Sequence, residues 1–370
     1  MAPGGLVVFK IGSSTLVDSE GSLDKPFIRS LCDQVCELRD RGLKVCIVSS
    51  GAAAAGRDVL GFAEKPHDIA SLQACAAAGQ AALTEAYAEV LRERGVPCAQ
   101  VLLTRRDVVD RDGYLNARNT LMRLLELGAV PVVNENDTVS VAEFTFGDND
   151  MLGAIVSGLV SADLYVIMSD VDGLYTANPQ TDPSATLIPL VTQVDGAVSS
   201  MAGDSASSFG TGGMSSKVRA ARAMMAAGIP TVICEGRRPG VLLEVAAGEG
   251  VGTRFEPPQD ASPERGRKLW IGLAEVVKGA ISLDEGATEA VLAHGASILP
   301  VGVRAVEGDF DSGEVVNVTN PAGELIGRGI VRYSSEDMRR VHGLKLDVIA
   351  RFLGEEAAVP AVHRDELLVF

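Results

Sequence analysis

The sequence predicts an α/β fold with an open, mostly parallel sheet sandwiched by helices, followed by a small β-rich domain. Three observations predict it. Six apolar runs of strand length alternate with segments of helical spacing, the pattern of a parallel sheet covered on both faces. Hydrophobic residues make up 46% of the chain and aromatics only 4%, with Ala, Val, Leu and Gly dominating, which suits helices packed closely against such a sheet. Beyond residue 256 the text changes to short β-like runs, and 370 residues exceed the usual size of one domain.

The strand-length runs are LVVFKI (6–11), KVCIVS (44–49), CAQVLL (98–103), AVPVVN (129–134), LYVIMS (164–169) and PTVICE (230–235). Between them lie helical patterns such as Phe27, Ile28, Leu31, Val35 and Leu38, and the Ala-rich stretch from Leu72 to Leu91, whose apolar residues recur every three or four positions. Gly42, Gly95, Gly128 and Gly228 each precede the next strand, as helix-ending glycines do. The stretch EPPQDASPERGR (256–267) is rich in Pro and charge and has no periodic apolar face, so it reads as a linker. The organisation expected is a first domain over 1–258, a linker over 259–272, a second domain over 273–354 and a C-terminal tail over 355–370. The runs AVLAHGASILPVGV, GEVVNVTN and ELIGRGIVRY predict a small barrel or sandwich in the second domain. There is no internal repeat.

A net charge of −16 argues against a nucleic-acid partner, which requires a basic face. Residues 276–353 carry eight Lys and Arg against eleven Asp and Glu, a net of −3, so the second domain has no such footprint either. The six cysteines lack CxxC spacing, which points to a reduced, cytoplasmic setting. The first residues have neither a basic segment nor a long apolar one, and Asp163 interrupts the apolar stretch 151–168. No signal peptide and no membrane span are expected.

Chemistry is concentrated between Asn134 and Asp150, where NENDTVSVAEFTFGDND sets five carboxylates and three asparagines around a short apolar hairpin. Crowded carboxylates repel one another unless cations join them. Lys10, after LVVF, and Lys217, closing TGGMSSK, are the candidates, each at a Gly/Ser turn beside a strand or helix end. Two lysines and an acid cluster suggest polyphosphate and metal. The turns FKIGSSTL (9–16) and VSSGAAAAG (48–56) and the segment SSFGTGGMSSKVRAARAMMAAG (207–228) would let a ligand approach the backbone. Taken singly, the 207–228 loop is equally an ordinary helix cap, and the 48–56 turn is better read as a close helix-to-sheet contact. Neither a Walker A loop nor a GxGxxG fingerprint is present. Ligands of open α/β sheets bind at the carboxyl ends of strands, where all three turns, NEND and Ser169-Asp170 would lie. Asn134 and Asp137 also suit an Asx turn, and Asp150 a helix N-cap. The histidines, at 67, 294, 342 and 363, lie outside every motif.

Together KIGSS, VSSGAAAAG, LNARNT, PVVNENDTV, FGDND, MSDVDGLYT and GTGGMSSK resemble the glutamate 5-kinase branch of the amino-acid-kinase family, essentially end to end. LDEGAT, SILPVGV, GDFDSGEVV and the closing AVHRDEL resemble the PUA domain and tail of bacterial members. Single motifs are shared with acetylglutamate kinase, aspartokinase and carbamate kinase; the combination is more specific. Ser169 stands where many relatives carry Thr, and IGSST where Leu-Gly-Thr-Ser is commoner; both changes keep a small hydroxyl or the backbone.

The resemblance implies transfer of the ATP γ-phosphoryl group to the side-chain carboxylate of L-glutamate, the first step of proline biosynthesis, with proline as a feedback inhibitor and the product passed to glutamyl-phosphate reductase. By the same analogy Lys10 touches the transferred group and Lys217 the leaving phosphates. Asp150 holds the two ammonium groups apart, and the amides of Gly12 and Gly51 steady developing charge. Ser50, Asn134, Asp137 and Asn149 receive glutamate, with Asp137 for its ammonium and Asn134 and Asn149 for its α-carboxylate. Nucleotide contacts fall on Lys10, Ser169, Asp170 and the loop Thr211, Gly212, Gly213, Met214, Ser215, Ser216 and Lys217. Mg²⁺ is expected on the phosphates with few protein ligands, and the expected assembly is a homo-oligomer. The alternatives are a sibling kinase acting on acetylglutamate or aspartate, and, in a different class, an RNA-binding protein acting through its PUA-like domain.

Overall fold

The first strand, β1 (Leu6–Ile11), is buried at all six positions, and the rest of the sheet grows outward from it on both sides. In the computed structural model the described residues are 1–18, 20–104, 107–108, 111–140, 149–194, 198, 201, 213–258, 277–354 and 358–369. They divide into two compact units, Met1–Ala261 and Ser262–Phe370.

In the first unit a single helical turn, α1 (Ser13–Leu16), follows β1, and then come α2 (Lys25–Asp40), β2 (Lys44–Ser49), α3 (Ala52–Leu60), α4 (Ile69–Glu93) and β3 (Cys98–Leu103). The chain continues through α5 (Arg111–Glu126), β4 (Val130–Glu135), α6 (Asn149–Val160), β5 (Leu164–Ser169), β6 (Leu190–Val191), α7 (Met214–Ala226), β7 (Thr231–Glu235), α8 (Val241–Ala247) and β8 (Thr253–Phe255). The strand order is β3-β4-β2-β1-β5-β7-β8-β6. β1 pairs in parallel with β2 on one side and β5 on the other, which gathers the carboxyl ends of β1, β2, β4 and β5 at one edge. All six expected strands are present. Two more, β6 and β8, close the far side, and β8 runs antiparallel to β7; at two and three residues they are too short to show periodicity.

Local chemistry explains the helix boundaries. Asp24 caps α2 by accepting from the Phe27 N–H at 3.0 Å, and Asp68 caps α4 by accepting from Ser71 at 2.8 Å, each satisfying a donor that has no partner inside the helix. Gly42, Gly95, Gly128 and Gly228 take φ of +83, +69, +75 and +77° and stop the preceding helices in left-handed geometry. The small residues of the 48–56 turn do serve packing, but against a helix and not the sheet. A Cβ on Gly56 would lie 1.7 Å from the Cys75 carbonyl oxygen, and one on Gly79 would lie 2.0 Å from that of Ala52. Thus α3 and α4 meet backbone to backbone.

All six cysteines are free. Burial pushes the Cys46 and Cys234 thiols up to about 12, which marks them as inert packing residues.

The second unit contains β9 (Gly279–Leu283), α9 (Glu285–His294), β10 (Val303–Gly308), β11 (Val315–Thr319), β12 (Leu325–Val331), α10 (Ser335–Val341), α11 (Leu346–Leu353) and β13 (Val362–Val369). Its sheet has the order β10-β9-β11-β12-β13, with β9 and β11 parallel, around a core that includes Ile281, Val316, Val318, Met338 and Ile349. Residues 362–369, within the expected tail, are its edge strand, paired antiparallel with β12. The expected linker lies wholly outside the described residues. Among the described residues no helix is long and apolar enough to cross a membrane.

Candidate active site

Asp150 is the centre of the site. It lies in the first turn of α6, fully buried, where the helix dipole favours an acid. Lys10, the fifth residue of β1, places its Nζ 2.5 Å from Asp150 Oδ1. Lys217, in the first turn of α7, places its Nζ 3.2 Å from Oδ2. The Ser216 hydroxyl donates to Oδ2 at 2.8 Å, and Tyr165 on β5 donates to the Asp150 backbone carbonyl at 2.7 Å. The carboxylate is therefore the hub of a charge triad and not a side-chain cap. Burial alone would push its pKa up, but Lys10, Lys217 and the hydrogen bonds from Lys10 and Ser216 outweigh it and hold the group below the ordinary carboxylate value. Residues separated by more than two hundred positions in sequence converge here, at the carboxyl edge of the sheet.

The flanking turns follow from the same topology. Gly12 begins α1, and its N–H, expected to face developing charge, donates to the Met168 carbonyl at 3.3 Å. A Cβ on it would stand 3.8 Å from Lys10 Nζ, so glycine keeps the space beside that ammonium open. Gly51 caps α3 at φ +93°, where any L side chain would be strained. The Ser169 hydroxyl donates to Asp170 Oδ1 at 3.0 Å at the end of β5. Gly213 is the N-cap of α7, followed by half-exposed Met214 and Ser215. Thr211 and Gly212 lie outside the described residues, as do Glu143, Asp148 and the hairpin expected over 141–148.

Beside the triad lies a set of neutral groups. The Asn149 amide nitrogen, with two hydrogens to share, lies within hydrogen-bond distance of three acceptors, Ser50 Oγ at 2.8 Å, Asn134 Oδ1 at 3.0 Å and the Ser49 carbonyl at 3.1 Å. Asn134 Oδ1 also accepts from the Glu135 backbone N–H at 2.9 Å, and Asn134 Nδ2 donates to Gln80 Oε1 at 2.8 Å. Asn134 and Asn149 are thus tied to each other and to Ser49, Ser50 and Gln80, with one local Asx-type bond at Asn134. Asp137 is half-buried after β4 and lines a cavity of about 270 Å³ with Gln80, Gln100, Glu135 and small alanines of α4. Burial raises its pKa. A larger cavity of about 610 Å³ lies along α2, lined by Arg29, Asp33 and Arg94; none of the triad lines it.

Sequence reasoning missed Gln80, Tyr165 and the Tyr87–Ser49 contact of 3.0 Å. For Gln80 a signal existed: it is the long polar residue on the buried face Cys75, Ala76, Gly79, Gln80 and Leu83 of α4. Tyr165 gave none inside LYVIMS. His67, His294 and His342 are exposed, and His363 sits in β13.

The amino acid kinase family model matches residues 5–235, and the PUA domain model matches residues 279–353. The glutamate 5-kinase of Trichlorobacter lovleyi is 44% identical over 363 residues, 98% of this chain and 96% of that protein. That of Gloeobacter violaceus is 46% identical over 364 residues, 98% of each, and that of Citrobacter koseri 44% identical over 368 residues, 100% of each. Carbamate kinase from Giardia lamblia bound to AMP-PNP shares the fold, with a TM-score of 0.50 at 16% identity over 70% of this chain and 100% of that one. Full-length kinase relatives make the protein a kinase. The chain belongs to the amino acid kinase family, with a PUA domain following its kinase domain.

Proposed function

We propose that this kinase transfers the γ-phosphoryl group of ATP to the side-chain carboxylate of L-glutamate, forming glutamyl 5-phosphate, the first step toward proline. The observation that carries the reading is the Lys10–Asp150–Lys217 triad set beside neutral amides and the half-buried Asp137. A glutamate side chain has a pKa of about 4.3, so the nucleophile is already ionised at neutral pH and needs no general base. The obstacle is bringing an anion to an anionic phosphoryl group, which calls for positive charge and positioning. In this reading a carboxylate oxygen forms the new bond to the γ-phosphorus while the bond to the β–γ bridging oxygen breaks, and ADP leaves with the electron pair. Lys10 serves the transferred group and Lys217 the leaving phosphates, with Asp150 holding them in line. Asp137 takes the substrate ammonium. Asn134, with a second amide hydrogen beyond the one given to Gln80, and Ser50 face its carboxylates.

Mg²⁺ fits as a companion of the nucleotide. Among the described residues no cluster of three His, Cys, Asp or Glu is placed to hold a metal ion. The buried carboxylate Asp150 is already engaged by two ammonium groups and Ser216, so phosphate oxygens and water are the fitting ligands, and the ion would neutralise phosphate charge.

Asp137 separates glutamate from acetylglutamate, because an N-acetylated substrate has no ammonium and would leave a half-buried carboxylate uncompensated. A coupled ADP-release assay across glutamate, acetylglutamate and aspartate is expected to favour glutamate, and faster turnover with either of the others would overturn the proposal. Proline, a cyclised relative of glutamate, is proposed to compete at the same site; initial rates at subsaturating glutamate that stay flat up to millimolar proline would exclude this.

A further inference from the structure

The amide cluster has a direction, and that direction is set from α4. Thr84 Oγ1 gives its only proton to the carbonyl of Gln80, one turn earlier, at 2.9 Å. Toward the Gln80 side chain it is therefore only an acceptor, and it receives Gln80 Nε2 at 3.2 Å. With the Gln80 NH₂ turned to Thr84, its Oε1 must face Asn134, whose Nδ2 donates to it at 2.8 Å. Asn134 then presents Oδ1 to two donors, the fixed Glu135 backbone N–H and Asn149 Nδ2. At the far end the fixed Ser49 carbonyl turns the Asn149 NH₂ inward, and Asn149 donates to Ser50 Oγ at 2.8 Å. Ser50 Oγ is an acceptor in this contact, which leaves its proton to be given outward. Backbone groups pin both ends, so every side chain between has one consistent orientation.

We propose that Gln80 and Thr84 are a positioning pair that fixes the polarity of the relay Gln80–Asn134–Asn149–Ser50, so that Ser50 presents its hydroxyl proton to a substrate carboxylate. The inference rests on the reading of glutamate as substrate. Gln80 is well placed for it: it is buried and also lines the cavity that contains Asp137, so it spans the two halves of the glutamate site. Reversing its amide would set donor against donor at Asn134; because the Glu135 N–H and the Ser49 carbonyl prevent the asparagines from flipping in response, the repulsion would displace Asn134 and, through Asn149, the donor that holds Ser50 Oγ. Gln80 is not itself required to touch the reacting atoms.

The test is steady-state kinetics on the full-length enzyme with Gln80→Met, Thr84→Val and Thr84→Ser, measuring KM for glutamate and for ATP separately, with thermal unfolding alongside. Gln80→Met is expected to raise the glutamate KM by about tenfold, the scale of one misdirected hydrogen bond, while the ATP KM stays within twofold (~2×) of the wild type. Thr84→Val, which removes the acceptor with little change of shape, should move the glutamate KM in the same direction, and Thr84→Ser should restore it. Equal rises in both KM values, no change in either, or identical behaviour of Thr84→Val and Thr84→Ser would overturn the proposal. Should Gln80→Met fail to fold, the Thr84 pair decides alone. Wild-type enzyme that does not turn over glutamate would instead remove the functional reading itself, and this inference with it.

Discussion

Replacing Asp150 by Asn tests the centre of the site, because it keeps the shape and removes the charge. In the wild type Lys10 Nζ and Lys217 Nζ stand 2.5 and 3.2 Å from the two carboxylate oxygens, and all three side chains are at least nine-tenths buried. At 3.2 Å and an effective dielectric of about 20, one such contact is worth about 5 kcal/mol of gross attraction. Most of that offsets the desolvation of the charges, so the net effect must be taken from what happens when one partner of a buried pair is removed, a loss of about 3–5 kcal/mol. Asp150→Asn removes the carboxylate that both buried ammonium groups contact, which places it in that range. Urea unfolding of the ligand-free protein should therefore show a loss of about 3–5 kcal/mol, and turnover should fall by ~10²-fold or more as the lysines lose their alignment. The phosphates of ATP carry the missing negative charge, so saturating nucleotide should raise the melting temperature of the variant by more than it raises that of the wild type. A variant within about 1 kcal/mol of the wild type and with normal turnover would refute the reasoning.

Lys217→Ala is expected to lower turnover by ~10²-fold or more with a smaller change in glutamate KM, as for loss of a charge contact made to the leaving phosphates; single-turnover rates measure it. Asp137→Asn should raise the glutamate KM at least about tenfold yet leave the ligand-free protein as stable as the wild type or more so, because burial disfavours the charged form of Asp137; thermal unfolding without substrate checks the second part. The folded pKa of Asp150 lies below its ordinary value, so its stabilising contribution is complete above the ordinary carboxylate range and is lost as pH falls through the folded value. Acid unfolding of the wild type should be correspondingly steeper than that of Asp150→Asn. Gly79→Ala would put a methyl 2.0 Å from the Ala52 carbonyl and 2.1 Å from the Gly56 nitrogen, which forces α3 and α4 apart; a loss of about 3 kcal/mol or more is expected in urea unfolding.

Six strands of the kinase unit were legible because each is an apolar run flanked by turn signals, and buried strands of a parallel sheet carry no other pattern; β6 and β8 were too short to show one. β13 was not: HRDEL breaks its apolar residues with charges, and its place in the sheet is decided by pairing with β12, which local sequence does not record. Lys10, Asp150 and Lys217 stood out because an acid cluster and Gly-flanked lysines have no use in a core. The partners that orient the site were hidden for the opposite reason. Gln80 and Tyr165 sit inside apolar segments as ordinary helix and strand residues, and their roles depend on contacts with Asn134 and Asp150, 54 and 15 positions away.

The division of the site into a charged half and a neutral half follows from the reaction it is proposed to serve. Phosphates demand positive charge, but two adjacent buried ammonium groups repel each other. Asp150, in contact with both, offsets that repulsion. The nucleophile poses the reverse problem: it must stay anionic to attack, so a strong ion pair at its reacting oxygen would lower its reactivity along with its repulsion. Amides and a hydroxyl orient a carboxylate without neutralising it. Dipoles, unlike charges, work only in one direction, so such a half-site needs its polarity fixed from outside, and the Thr84–Gln80–Asn134 contacts from α4 agree with the Glu135 N–H and the Ser49 carbonyl on one direction.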